Sequence, residues 1–216
     1  MRTIAFVTQK GGSGKSTLAS SIAVAAAEAG ERVFIIDMDP QQSLVKWAKE
    51  RGKTDVAVET VSPGKLKAVL AALEKKGVTV AVIDTPAGET PAGEAAVRLA
   101  DLTIIPARPN AFDLWSSEAT RRLIRSLRRD YAFLLNQCPP AQQSARIDEG
   151  VTALEAMGGL LSPPVSARVD YQEATRLGLG VTEFAPTGTA AQEIRKLWSS
   201  LRRRMARGAA GQRRAA

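Results

Sequence analysis

The stretch Lys10-Gly11-Gly12-Ser13-Gly14-Lys15-Ser16-Thr17 sets glycines, lysines and two adjacent hydroxyls within a few residues of one another. Glycines free the backbone to turn successive N–H groups inward, and a helix that starts just after them adds a field that favours anions. Such a loop cradles phosphates. Lys15 is placed to reach the β- and γ-phosphates of a nucleoside triphosphate, the Ser16 hydroxyl to ligate Mg2+, and Thr17 to sit by the phosphates nearer the base. The short apolar run Ile4 to Val7 precedes the loop and an Ala-rich stretch follows Thr17. Strand, loop, helix is the context in which the motif carries weight; the plain alternative is a Gly-rich turn.

Polar residues also close three other apolar runs. Val33-Phe34-Ile35-Ile36 leads into Asp37 and Asp39, at the strand edge where open α/β sheets bind ligands. The two aspartates share strand parity and would point to one side of the sheet if the strand continued, although Pro40 leaves its end open. Asp37 is placed to support the water shell of the metal; either aspartate could instead cap the next turn. Val80-Ala81-Val82-Ile83-Asp84 matches a Walker B strand, whose Asp84 would hold Mg2+ through water or by way of Ser16. Asn136 closes Tyr131 to Leu135 and offers both a donor and an acceptor, or else is an ordinary strand-ending turn residue.

Composition limits the chemistry further. The chain has 216 residues, 44% of them apolar, which suits one compact domain. Histidine is absent, so a Ser-His-Asp triad and an imidazole metal site are excluded. Cys138 stands alone, which rules out an intrachain disulfide and a Cys-based zinc or iron–sulfur site within one chain, and fits a reducing cytoplasm. Arg2 and Thr3 lead straight into a strand-length run, so no signal peptide is expected, and no apolar run is long enough to span a bilayer. Catalysis must rest on carboxylates, lysines and metal-bound phosphate.

The elements that must position these residues follow from periodicity. Strands are predicted at Thr3 to Thr8, Arg32 to Asp37, Val56 to Val61, Thr79 to Asp84, Leu102 to Ala107, Tyr131 to Asn136, and more weakly near Leu160 to Val165. Most are continuously apolar, as strands buried on both faces should be. Helices are predicted at Ser16 to Ala29, Lys65 to Lys76, Leu114 to Arg128, Ile147 to Met157 and Ala190 to Ala206, with Gly30 and Gly77 as stop signals. The expected fold is α/β, a mostly parallel twisted sheet flanked by helices, with residues 1–207 as a single domain and 208–216 as a disordered basic tail.

One departure from the general phosphate-loop pattern is informative: Gln9 stands where a glycine is usual, and an extra lysine, Lys10, follows it. Here the chain resembles the deviant Walker A family, K-G-G-x-G-K-[ST], which includes the ParA and MinD ATPases. The resemblance implies ATP and Mg2+ as ligands, and a homodimer sandwiching ATP in which Lys10 reaches the facing subunit's phosphates; otherwise Lys10 is a solvated loop lysine. It implies that Asp39, in Asp37-Met38-Asp39-Pro40-Gln41, orients the attacking water, that Pro86 and Gly88 begin a second switch, and that Asn136 recognises the adenine edge. The likeness continues through Arg168 to Ala174, Val181, Glu183, Pro186 and Glu193-Ile194. With nothing preceding the phosphate loop but one strand, it points to the small ParA-like members.

Net charge is +8, yet residues 195–216 hold eight basic residues and no acidic ones, leaving 22 basic against 22 acidic elsewhere. Arg121, Arg122, Arg125, Arg128 and Arg129 form a second cluster on one predicted helix. Small ParA-like proteins bind DNA without sequence preference when ATP dimerises them, which implies contacts from Arg168, Arg195, Lys196, Arg202, Arg203 and Arg204; a solvated basic face is the plainer reading. The expected function is a weak ATPase, stimulated by a partner protein, that partitions or positions a plasmid, chromosome or protein cargo in the cytoplasm on the nucleoid. Two alternatives remain. Ile194, Leu197, Trp198, Leu201 and Met205 form an apolar stripe that would suit a MinD-like membrane-associated ATPase, or would simply dock the last helix on the core. A metabolic ATP-dependent enzyme on the same fold is the other.

Overall fold

The computed structural model describes residues 1–140 and 145–215, without the side chains of Arg146 and residues 207–215. Six strands, β1 (Arg2–Phe6), β2 (Val33–Asp37), β3 (Val56–Thr60), β4 (Val80–Asp84), β5 (Leu102–Ala107) and β6 (Tyr131–Leu135), form one parallel sheet in the order β3-β2-β4-β1-β5-β6. Nine helices accompany them among the described residues: α1 (Lys15–Glu28), α2 (Ser43–Arg51), α3 (Leu66–Lys75), α4 (Pro91–Leu99), α5 (Ala111–Ser126), α6 (Ala145–Met157), α7 (Val169–Arg176), α8 (Val181–Phe184) and α9 (Thr189–Ala215).

Five of the strands are buried almost throughout because both sheet faces are covered; the edge strand β3 is mostly exposed. Ile4, Phe6, Ile35, Val82 and Ile104 pack beneath α1, α2, α7, α8 and α9, while Ala5, Ile36, Ile83, Ile105 and Phe133 pack against α3 to α6. Alternate residues of one strand thus serve opposite cores, as the two-residue strand period requires. Each large aliphatic side chain buried this way stabilises by about 1.5–3 kcal/mol. Register sets Phe6 and Asp37 on either side of Asp84 at the C-terminal edge, so the sheet delivers β1's loop and both aspartates to one place.

Several elements differ from the sequence expectation. The segment near Leu160 to Val165 is not a strand: isolated bridges, Phe133 to Leu160 and Cys138 to Ser166, and a bond from Val165 N–H to Leu135 O (2.9 Å) connect it to its neighbours. Pro163 and Pro164 carry no N–H with which to extend a ladder. Helices α2, α4, α7 and α8 were not anticipated. Helix α9 continues past Ala206 to Ala215, where a disordered tail was expected; Ala, Gln and Arg are strong helix formers, and the two glycines there do not end it. Ala216 lies outside the described residues. The stripe Ile194, Leu197, Trp198, Leu201 and Met205 is buried against α1 and α8, so it docks the last helix and is not offered to a bilayer.

Candidate functional site

The phosphate loop joins β1 to α1 through two residues with left-handed backbone, Gly12 (φ 73°) and Gly14 (φ 85°). At Gly14 the requirement is doubled: a Cβ there would also lie 2.4 Å from Asn136 Nδ2, so only glycine fits. Gly11 and Gly12 are exposed, whereas Ser13 and Lys15 are buried. The loop lines an open cleft of ≈ 510 Å³ with Ser16, Thr17, Asp39, Pro40, Gln41, Ser43, Pro86 and Ala87.

Ser16 Oγ donates to Asp84 Oδ2 at 2.6 Å, and Asp84 Oδ1 is buried without a partner among the described residues. Burial pushes the Asp84 carboxyl up to about 7, the Ser16 hydrogen bond opposing and the neighbouring Asp37 adding to the rise. A hydroxyl and a carboxylate paired in this way, with one oxygen left over, fit a hard divalent cation such as Mg2+. Lys15 is 8% exposed. Burial lowers its pKa, and Asp84 and Asp39 partly offset that; no carboxylate among the described residues lies within ion-pair distance of it.

Strand β2 ends at Asp37, so Asp39 lies in a loop and the two aspartates part company. Asp37 is fully buried; Oδ1 accepts from Asp39 N–H (3.1 Å) and Oδ2 from Leu44 and Val45 N–H (3.0 and 3.2 Å), the free amides at the start of α2. Both oxygens therefore cap the turn and the helix, which is the alternative to the metal-shell role. Burial raises its pKa, and those three amides resist the rise. Asp39 is half-buried in the cleft, with Oδ1 accepting from Gln41 N–H at 2.9 Å.

Asn136 does not stand free: its Nδ2 donates to Ser13 O at 2.7 Å, and Gln137 Nε2 donates to Gly12 O at 2.9 Å. Beside them a narrower cavity of ≈ 290 Å³ runs past Thr17, Val165, Arg168 and Tyr171. It is contiguous with the cleft through Gly14 and Thr17, and its size suits a base. Arg168 lines this cavity and bonds Glu193 of α9 at 3.1 Å. Sequence reasoning passed over Gln137, whose φ of 54° is a strained value for a residue with a side chain; its place directly after Asn136 was the available signal.

The remaining basic residues divide. Lys196, Arg202 and Arg203 are exposed on α9. Arg195 donates to Pro186 O and Thr182 O, and Arg204 to Asp130 and Tyr131 O. On α5 and just beyond it, Arg121 binds Glu118 and Tyr131, and Arg129 binds Ala100 O. The side chains of Arg207, Arg213 and Arg214 lie outside the described residues.

The chain is 30% identical over 210 residues to a maintenance of carboxysome distribution protein A from Halothiobacillus neapolitanus, covering 90% of this chain and 94% of that protein. It is 33% identical over 193 residues to the protein of the same name from Gloeobacter kilaueensis, covering 85% of each. Among solved structures, the septum site-determining protein MinD of Pyrococcus horikoshii, complexed with Mg-ADP, superimposes with a TM-score of 0.73 over 93% of this chain and 95% of that one, at 20% identity. The sheet and its loop are thus those of a P-loop NTPase. The sequence pattern of the CobQ/CobB/MinD/ParA nucleotide binding domain matches residues 4–181, and with most of its length so matched the protein belongs to that family.

Proposed function

We propose that the chain is an ATP-dependent dimerising switch that positions a cargo by holding on to DNA in one nucleotide state and letting go in the other. The observation that carries it is the Ser16–Asp84 pair, with the unpartnered oxygen of the buried Asp84 carboxylate, directly under a loop bearing Lys10 and Lys15. Ser16 and Asp84 would hold Mg2+, which supplies positive charge for the phosphate oxygens when bound. Lys15 binds the β- and γ-phosphates from within the loop, where its desolvated ammonium exchanges an unfavourable setting for a triply charged partner. Asp39 orients the attacking water in line with the γ-phosphorus. Asp37 is a positioning residue: by capping α2 it fixes where the Asp39 loop begins. Lys10 reaches the nucleotide of the facing copy. Asn136 and Gln137 brace the loop from the base side, and the adenine lies in the cavity beyond them.

Both relatives at 30% identity or more bear a name concerned with carboxysome distribution, which favours a protein assembly over a plasmid or chromosome as cargo. DNA is the surface that suits the exposed cations Lys196, Arg202 and Arg203, which a homodimer doubles. Neutralising about six phosphates gives a salt slope near −5 in log affinity against log salt. Hydrolysis, slow alone and stimulated by a partner protein, releases the dimer from the nucleoid into the cytoplasm. The membrane reading loses its support with the burial of the apolar stripe on α9.

The test is retention on random-sequence DNA with ATP and with ADP, for the parent and Asp39→Ala. ATP alone should retain the parent, and the variant should stay bound with hydrolysis reduced roughly 100-fold. Equal retention in ATP and ADP overturns the switch; normal turnover by Asp39→Ala overturns the role given to that residue.

A further inference from the structure

Most large apolar side chains are buried, but α5 begins with two that are not: Phe112 and Trp115, each 68% exposed. Their rings meet edge to face, 5.6 Å apart at 84°, an arrangement aromatic pairs favour. The turn that presents them is rigid. Asn110 caps α5 by accepting from Asp113 N–H at 3.1 Å, and the buried Asp113 carboxylate accepts from Arg108 N–H, Nε and NH2 at 3.2, 2.7 and 3.1 Å. Rigidly held exposed aromatics lose little freedom on being covered, which is why such residues dominate protein interfaces.

Their place on the molecule says what covers them. Lys10 Nζ lies over the Phe112 ring, 5.5 Å from its centroid, and Gly11 and Gly12 beside it are exposed, leaving room for close approach. Arg108 closes the gap, its NH1 4.0 Å from where a Cβ on Gly12 would be. Phosphate loop, Lys10 and aromatic pair are therefore one continuous face. Its cation demands an anion from whatever docks there, and a bound triphosphate in a facing copy supplies one. A two-fold pairing also makes the patch serve both partners at once.

We propose that Phe112 and Trp115 are the aromatic anchor of the face on which a second copy of this chain docks, with Phe112 seating Lys10 before closure. This rests on the ATP-dependent dimer put forward above and adds where its binding energy is concentrated.

The test exploits the other tryptophans. Trp47 and Trp198 are each 3% exposed, so acrylamide quenching reports Trp115 nearly alone. With Mg2+ and a non-hydrolysable ATP analogue, at concentrations where sedimentation velocity shows a dimer, the quenchable emission should be lost; with ADP it should persist. A dimer in which Trp115 stays quenchable overturns this inference and leaves the switch standing, whereas no nucleotide-dependent dimer at all overturns both. Trp115→Ala should weaken the dimer roughly ten-fold or more, with monomer affinity for the analogue unchanged and Trp115→Phe restoring most of the loss. A dimer of undiminished affinity in Trp115→Ala also overturns the proposal.

Discussion

Two cations are buried among the described residues, and their surroundings are opposites. Arg51, at the end of α2, has a fully buried side chain whose donors reach Asp55 (2.9 and 2.6 Å), Glu183 (2.7 and 3.0 Å) and Gly178 O (3.1 Å), with its guanidinium over the Trp47 ring. Lys15, at the start of α1, is nearly as buried and has no such partner among the described residues. Arg51 is complete within the chain and ties α2 to α8. Lys15 is complete only when something anionic arrives. Burial alone therefore does not mark function; burial with unmet polar demand does.

Replacing each cation by methionine should split the two roles. Lys15→Met should cost at least about 100-fold in ATP affinity, measured by calorimetry, while the unfolding midpoint of the nucleotide-free protein falls not at all, since a desolvated charge has been removed. Arg51→Met should do the reverse, lowering stability in denaturant titration by about 2 kcal/mol, because Glu183 keeps only the exposed Lys53 (3.0 Å) as counter-charge and Gly178 O loses its donor, while half-exposed Asp55 is rescued by water. If Lys15→Met unfolds as readily as Arg51→Met, the distinction fails.

Titration sharpens it further. Burial holds the Asp84 carboxyl at about 7 in the folded state against 3.8 as an ordinary group, so between those values the folded protein keeps the extra proton and stability falls as pH rises. Asp55, hydrogen-bonded by Arg51, and Glu183, where Arg51 and the Gly180 amide outweigh burial, both sit below their ordinary values of 3.8 and 4.5. What they contribute is present above those ordinary values and is lost as pH falls through the folded ones. In metal-free buffer, Asp84→Asn should gain on the order of 2 kcal/mol at pH 7 and nothing at pH 4, with Mg2+-dependent hydrolysis abolished. An unchanged stability profile would mean that Asp84 is not strained by its setting.

The first of the two regions was legible in the sequence and the second was not, for a physical reason. Most of the strands are apolar runs, and the phosphate loop, Asp39 and Asp84 are close to strand ends that can be found locally. Arg51 meets Glu183 across 132 residues, a pairing that no window reveals. Helix α2 was missed because its amides are satisfied by Asp37, seven residues upstream of Leu44, where a cap is not sought. Helix α4 left a signal that was not used: Thr90 accepts from Gly93 N–H at 3.0 Å and Pro91 occupies the first turn, but Gly93 and Pro91 also read as loop residues. The Arg168 ion pair with Glu193 spans 25 residues and was likewise hidden from any local window.

With the base in the cavity beyond β6, as proposed above, the bracing of the phosphate loop by Asn136 and Gln137 would couple two kinds of selectivity that could have been separate. Any change at the end of β6 meant to admit a guanine or a pyrimidine would release the Ser13 and Gly12 carbonyls, loosening the amides that count phosphates. On that proposal, swapping the base preference of this chain would call for a compensating tether elsewhere on the loop, and Gly14, pressed against Asn136, leaves no room to place it there.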